Sequence, residues 1–252
     1  MFKMTDIILC GCCGNMGRVI TSLCESDDVK IVAGVDTFNN KKTDYPIFPS
    51  FDDVSVKADV IIDFSNPTVL DSLLDYAVRT ATPVVIATTG YDDEQISKIK
   101  FASEKVGIFF TFNMSLGINL MCALAKTATK VLGNSFDIEI IEKHHNQKID
   151  APSGTAIMLA NAISQELETK PLYEYDRHSK REKRPKNEIG IHSVRGGTIV
   201  GEHEVIFAGT DEIVSIKHQA MSKKVFATGA VNAAKFLKGK ENGMYSMEDI
   251  IK

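Results

Sequence analysis

The chain has 252 residues, 44% of them apolar and 25% charged, close to the globular average of roughly 45–50% and 25%, which excludes disordered, collagen-like and coiled-coil classes. At about 150 residues per domain there is room for one to two hydrophobic cores. Lys and Arg number 29 against 33 Asp and Glu, a net charge of −4, so nothing in the bulk charge attracts nucleic acid or an anionic membrane surface.

The N-terminal stretch lacks the basic start and the apolar run of roughly 7–15 residues that a secretory signal needs, and no segment reaches the roughly 18–20 apolar residues of a membrane span. Five cysteines, three of them crowded at Cys10, Cys12 and Cys13, read as reduced thiols in a reducing compartment. A cytoplasmic protein is expected.

Residues 7–10 form a short apolar strand that enters a glycine cluster, and from Met16 onward Val19, Ile20 and Leu23 recur at helical spacing. A second strand over 31–35 ends at Asp36, and a third over 60–62 ends at Asp63. Ser65 or Asn66 as N-cap with Pro67 at the first helical position starts a helix whose apolar face is Val69, Leu70, Leu73 and Leu74. The unit repeats with a strand over 83–87, a helix marked by Ile96 and Ile99, and a strand over 106–112. Near-continuously apolar strands alternating with amphipathic helices predict a parallel sheet covered on both faces.

After Asn113 the pattern changes. Residues 115–132 read as a long apolar helix, 136–142 as a half-exposed strand, and a helix opened by Ser153-Gly154-Thr155-Ala156 follows Pro152 and runs over 157–167. Runs at 191–195, 198–201, 204–208 and 213–218, joined by glycine-containing turns, predict a mainly antiparallel or mixed sheet. The charged segment 172–187 reads as a solvated loop, and 220–240 as a helix returning to the first domain. The fold expected is α/β: a Rossmann-like parallel-sheet domain over 1–113 completed by 220–252, and an α+β substrate-binding and oligomerisation domain over 114–219.

Two segments carry chemistry. Gly11-Cys12-Cys13-Gly14-Asn15-Met16-Gly17 is a GxxGxxG loop between a strand and a helix, where glycines permit a tight turn and let a pyrophosphate approach backbone N–H groups. Asp36 closes the second strand 19 residues after Gly17, the place where a Rossmann fold sets an acid on the adenosine ribose. An oxidoreductase using a nicotinamide dinucleotide is the leading class. The helix end also favours a thiolate at Cys12 or Cys13. The second segment is the run from Glu142 to Thr155, with His144, His145, Lys148 and Ser153-Gly154-Thr155. No cysteine or further histidine stands at metal-ligand spacing there, so no metal is expected. Cationic groups beside a helix N-terminus instead suit an acidic small molecule.

The GCCGNMG loop, ATTG at 87–90, FNMSLGIN at 112–119, IEKHHNQKIDAPSGTA and SVRGGTIVGEHEVIFAG together resemble the 4-hydroxy-tetrahydrodipicolinate reductase (dihydrodipicolinate reductase) family over nearly the whole chain. That resemblance implies reduction of a cyclic dicarboxylate imine by NADH or NADPH, with loss of water, in the diaminopimelate route to lysine, by a homotetramer assembled through the second domain's sheet. It implies His144 as the proton donor or acceptor and Lys148 as the second proton donor, and His145, Ser153, Gly154 and Thr155 as ligands of the substrate carboxylate. It also implies Gly11, Cys12, Cys13, Gly14, Asn15 and Met16 around the pyrophosphate, Asp36 on the ribose, and Ala87, Thr88, Thr89, Thr111, Phe112, Asn113 and Met114 near the nicotinamide. Ala87 stands where a glycine is common in the family. Thr37 stands where an arginine often follows the acid, so an obvious partner for a 2′-phosphate is missing, a part that Lys41 or Lys42 could play. Another two-domain dehydrogenase and a nucleotide-sensing regulator would share the glycine loop but have no use for the HHxxK run.

Overall fold

The structure is a computed structural model that describes residues 4–24, 28–38, 43–133 and 135–251. Its elements, in chain order, begin with β1 (Thr5–Cys10), α1 (Asn15–Cys24), β2 (Val29–Val35), β3 (Ile47–Phe48), β4 (Val60–Asp63), α2 (Leu70–Thr80), β5 (Val84–Ile86), α3 (Asp93–Ser103) and β6 (Gly107–Phe110). Next come α4 (Leu116–Leu132), β7 (Asp137–His144), α5 (Gly154–Ser164), β8 (Leu172–Glu174), β9 (Glu188–Arg195), β10 (Gly201–Ala208) and β11 (Ile213–Ala220). The chain closes with α6 (Lys224–Leu237), β12 (Gly243–Tyr245) and α7 (Met247–Ile251). Two compact units result, Met1–Ser115 with Lys223–Lys252, and Leu116–Ser222.

The first unit holds a seven-stranded sheet in the order β12-β6-β5-β4-β1-β2-β3, with every pairing parallel. Alternation along a strand sends Ile7 and Leu9 into the core under α1 and α6, and Ile8 and Cys10 into the core under α2 and α3. Both faces are therefore apolar, which is why these strands read as unbroken hydrophobic runs. The order reverses between β1 and β4, leaving a crevice at the carboxyl ends of the strands. Asn66 starts the expected helix by accepting from Thr68 N at 3.0 Å, through a 3₁₀ turn over Pro67–Val69 that leads into α2.

The second unit holds the mixed sheet β11-β10-β7-β9-β8. β10 pairs antiparallel with β7 and β11, whereas β9 runs parallel to both β7 and β8. Helices α4 and α5 cover one face with a core that includes Ile118, Met121, Leu159, Ile163, Ile140 and Phe207.

Three expectations need correction. Residues 198–201 form no strand of their own, because Gly196 and Gly197, the latter at φ +48°, turn the chain there and β10 begins only at Gly201. Segment 172–187 is not merely a solvated loop. It opens with edge strand β8, and the carboxylates gathered at this end of the sheet draw its arginines in. Arg177 meets Glu188 at 2.6 Å, while Arg184 meets Glu139 at 3.0 Å and Asp137 at 2.9 Å. The helix opened by Ser153-Gly154-Thr155-Ala156 starts where expected, with Ser153 as its N-cap, but α5 ends at Ser164 rather than at 167.

Helix α6 lies against β4, β5 and β6 through small residues, and its Gly229 passes so close to Met114 that an added Cβ would sit 1.7 Å from the Met114 carbonyl oxygen. Gly229→Ala is expected to cost about 1–3 kcal/mol of stability by overpacking, read as a lower urea midpoint; an unchanged midpoint would show that the Met114 backbone yields freely.

Candidate active site

In the first unit the glycine loop has the backbone its sequence demands. Gly11 sits at φ +77°, and a Cβ there would lie 2.3 Å from the Phe64 carbonyl oxygen. Gly17 packs α1 onto the loop so tightly that a Cβ would meet Gly11 O at 2.4 Å. Asp36 accepts from Cys13 N at 2.9 Å and from Phe38 N at 3.0 Å, tying the end of β2 to the loop. A cleft of ≈ 520 Å³ opens here, its walls including Gly11, Gly14, Asp36, Phe38, Ser65 and Asn66. Glycines that admit no side chain, beside a helix N-terminus and an acid, fit a dinucleotide's pyrophosphate and ribose. Lys41 and Lys42 lie outside the described residues.

Cys12 behaves differently from the expectation for a helix end. Cys12 is only 4% exposed and turns toward Gly34 and Tyr45. Burial first, and then the neighbouring Cys13 and Asp36, push its thiol up to about 12, so Cys12 is not a reactive thiolate. Cys13 is half-buried, its sulfur 4.0 Å from that of Cys12.

The far wall of the crevice depends on Asp63, a residue with no role in the sequence reading. It is buried at the end of β4, and burial raises its pKa against the pull of Ser65 and Thr88. Ser65 Oγ donates to it at 2.5 Å, and Ser65 N donates to Thr88 Oγ1 at 2.8 Å, so the loops after β4 and β5 are knitted together. Ala87 and Thr88 are buried and Thr89 is exposed. Phe112 is exposed, Thr111 donates to the Asn113 carbonyl at 3.3 Å, and Asn113 Oδ1 receives Ser115 N at 2.8 Å. Met114 turns its side chain into the core.

In the second unit, strand alternation points Ile138, Ile140, Glu142 and His144 toward the helices. Register sets Ser193, Glu142, His203 and His218 side by side, a polar row across four strands. Glu142 is fully enclosed. Its Oε1 accepts from Arg195 Nη2 at 2.7 Å and from Ser153 N at 3.1 Å, while its Oε2 accepts from Arg195 Nη1 at 2.8 Å and faces His144 Nδ1 at 2.6 Å. Burial pushes this carboxyl up, yet the hydrogen bonds from His144, Arg195 and Ser193 outweigh it and hold Glu142 well below the usual carboxylate range.

The chain then turns at His145, whose carbonyl accepts from Lys148 N at 3.1 Å, and Lys148 Nζ pairs with Asp150 at 2.8 Å. The glycine turn grips the same place, with Gly196 N on His144 O at 2.9 Å and Asn146 N on Gly197 O at 3.2 Å. After the cis Ala151–Pro152 bond, Ser153 caps α5 by accepting from Ala156 N at 3.2 Å, and its Oγ lies 3.0 Å from His203 Nε2. A Cβ on exposed Gly154 would meet nothing within 4 Å, so a ligand has room to approach this helix end. Sequence reasoning brought His144, Lys148, Ser153 and Gly154 together but gave Glu142, Arg195 and His203 no role. The signal available was an acid and a histidine on inward positions of alternating strands.

A parallel sheet of this order, with a glycine loop and its paired acid, is the dinucleotide-binding half of an oxidoreductase. Two family models cover the chain: "Dihydrodipicolinate reductase, N-terminus" at residues 5–114 and "Dihydrodipicolinate reductase, C-terminus" at residues 117–251. A 4-hydroxy-tetrahydrodipicolinate reductase of Clostridium novyi is 50% identical over 250 residues, 99% of each chain, and one of Caldanaerobacter subterraneus is 51% identical over 250 residues, again 99% of each. The solved structure of a dipicolinate-bound dihydrodipicolinate reductase from Paenisporosarcina sp. TG-14 superposes with a TM-score of 0.81 at 25% identity, covering 98% of this chain and 99% of that one. The chain belongs to the dihydrodipicolinate reductase family.

His203 yields a prediction. Burial, followed by repulsion from His144, lowers its pKa from 6.5 to about 3. As pH falls below 6.5 the unfolded chain takes up a proton that the folded chain refuses until about 3, so this contribution to stability is present above 6.5 and is lost toward 3. Between about pH 6.5 and 5 the loss is roughly 1.4 kcal/mol per unit. Urea midpoints at the two ends of that window should fall less for His203→Gln than for the wild type; parallel losses would contradict the assignment.

Proposed function

We propose that the chain reduces 4-hydroxy-tetrahydrodipicolinate to tetrahydrodipicolinate, consuming one NAD(P)H and one proton and releasing one water, in the diaminopimelate route to lysine. The observation that carries this reading is the pairing of a carboxylate-held His144 and a lysine with a helix end that is open at exposed Gly154. Reduced nicotinamide, when bound, supplies the hydride. The loop from Gly11 to Met16 holds the pyrophosphate, Asp36 holds the ribose, and residues 87–89 and 111–114 flank the nicotinamide.

His145 and the N–H groups of Gly154 and Thr155 take a substrate carboxylate at the N-terminus of α5, where the helix dipole favours it. Hydride addition leaves electron density that must be protonated, and an imidazolium and an ammonium are suitable acids. As the imidazolium His144 gives up the proton on Nε2 and keeps the one on Nδ1, which faces Glu142. Lys148 Nζ pairs with Asp150 at 2.8 Å until substrate enters, and that pairing holds Asp150 below its usual carboxylate range. We read the assembly as a cytoplasmic homotetramer. One face of the second sheet lies under α4 and α5, and the other carries half-buried Ile141 and Ile206 with exposed Val194 and Ile213 among charged residues such as Lys143, Glu204 and Lys217, a mixed surface of the kind that meets a second copy.

The direct assay follows NAD(P)H absorbance with the condensation product of pyruvate and aspartate semialdehyde as substrate. His144→Ala and Lys148→Ala should each lower turnover by roughly two to four orders of magnitude while dinucleotide affinity stays within a few-fold. Wild-type turnover in either variant would remove that residue from the mechanism. For the cofactor, Asp36 can accept from both ribose hydroxyls and repels a 2′-phosphate, so NADH should serve as well as NADPH or better. A kcat/KM ratio favouring NADPH by more than about a hundredfold, roughly 2.7 kcal/mol, would contradict this.

A further inference from the structure

The segment that carries both acids starts and ends on one buried carboxylate. His144 stands at its beginning and Ser153 at its end, and Glu142 receives a hydrogen bond from each side, His144 Nδ1 at 2.6 Å and Ser153 N at 3.1 Å. Arg195 closes the arrangement from β9. Its two terminal nitrogens grip the two carboxylate oxygens at 2.8 and 2.7 Å, and Nη2 also donates to the Asp150 carbonyl at 2.6 Å. Through Asp150, whose carboxylate holds Lys148 at 2.8 Å, the second acid is tied to the same centre. A carboxylate with no exposed surface is stable as an anion only when its lone pairs are filled, and here two N–H groups of the Arg195 guanidinium, the His144 ring and a backbone amide fill them.

The geometry points to Glu142, with Arg195 as its countercharge, as a positioning residue for the reduction: it holds the His144 proton at Nδ1, leaving Nε2 to face substrate, and it sets the α5 end that receives the substrate carboxylate. An anion facing Nδ1 selects the Nδ1–H tautomer, since the alternative would set two lone pairs against each other. A structural role alone has no such requirement. Glutamine fills the same volume, but its amide offers one acceptor where Glu142 offers two, and its NH₂ must face Arg195, His144 or the Ser153 amide, all of them donors.

This inference rests on His144 being a proton donor, so the experiment separates the two. Histidine-selective ¹⁵N spectra of the wild type, assigned with His144→Gln and taken where the ring is neutral, should show His144 as the Nδ1–H tautomer. Glu142→Gln should lower kcat by roughly 10–100-fold, with the KM for NADH little changed, and Glu142→Asp, which keeps the charge, should lose less. In a His144→Ala background the same Glu142→Gln change should cost less than about threefold more, because groups that act as a unit are not additive. A predominantly Nε2–H ring in the wild type, or an equal Glu142→Gln penalty with and without His144, would overturn the proposal. Full turnover in His144→Ala would sink the proton-donor reading instead, and the tautomer would still decide for or against Glu142. If Glu142→Gln fails to fold, the wild-type spectrum and the Glu142→Asp kinetics carry the test.

Discussion

A carboxylate without solvent constrains everything around it. Burying the Glu142 charge costs several kcal/mol unless matched partners offset it, and the second unit is arranged so that they do. The register of β7 against β9 brings Arg195 to the position beside His144 and Ser193 to the position beside Glu142. The antiparallel pairing of β7 with β10 sets His203 on the other side of the same row. A slip of one residue in either pairing would turn these side chains to the opposite face and leave the carboxylate unmatched. The polar row therefore specifies register as firmly as the aliphatic residues beneath α4 and α5 do.

The first unit uses the same device more lightly. Asp36 and Asp63 end neighbouring parts of the sheet, and each carboxylate ties a loop to a strand end, the one through Cys13 N and Phe38 N, the other through Ser65. Those strand ends form the crevice of an open α/β sheet, where ligands bind. Asp36 keeps part of its surface exposed, as the ribose contact proposed for it requires, whereas Asp63 is enclosed and shapes the wall. Exposure thus separates the acid open to the crevice from the acid that builds its wall.

Much of this was legible in the sequence because it is local. The glycine loop, Asp36, the Asn66-Pro67 helix start and the HHNQKIDAPSG run are contiguous or lie at a fixed spacing. Two-residue β3 and three-residue β8 and β12 were not legible, since so few residues show no period and gain their pairing from the sheet they join. The partners of segment 172–187 were equally hidden. Arg184 finds Asp137 and Glu139 some 45 residues earlier in the chain, a match of charge that only the pairing of β7 with β9 creates. Cys12 failed for a related reason. Its position near a helix end was visible, but its turn toward Gly34 and Tyr45 was not, and burial dominates its chemistry. Glu142 looked like one charge in a half-exposed strand until register made it the centre of the site.

The claim on which the account turns is that this carboxylate fixes both ends of the segment between His144 and Ser153, and amide hydrogen exchange reads it most directly. Comparing the wild type with Glu142→Gln, the Ser153 amide should lose protection by about tenfold or more, the equivalent of roughly 1.4 kcal/mol, with faster exchange across 145–152 and no change in the strands of the first unit. Unaltered protection at Ser153, or an even loss spread through the whole second unit, would contradict it and reduce Glu142 to one more packed residue.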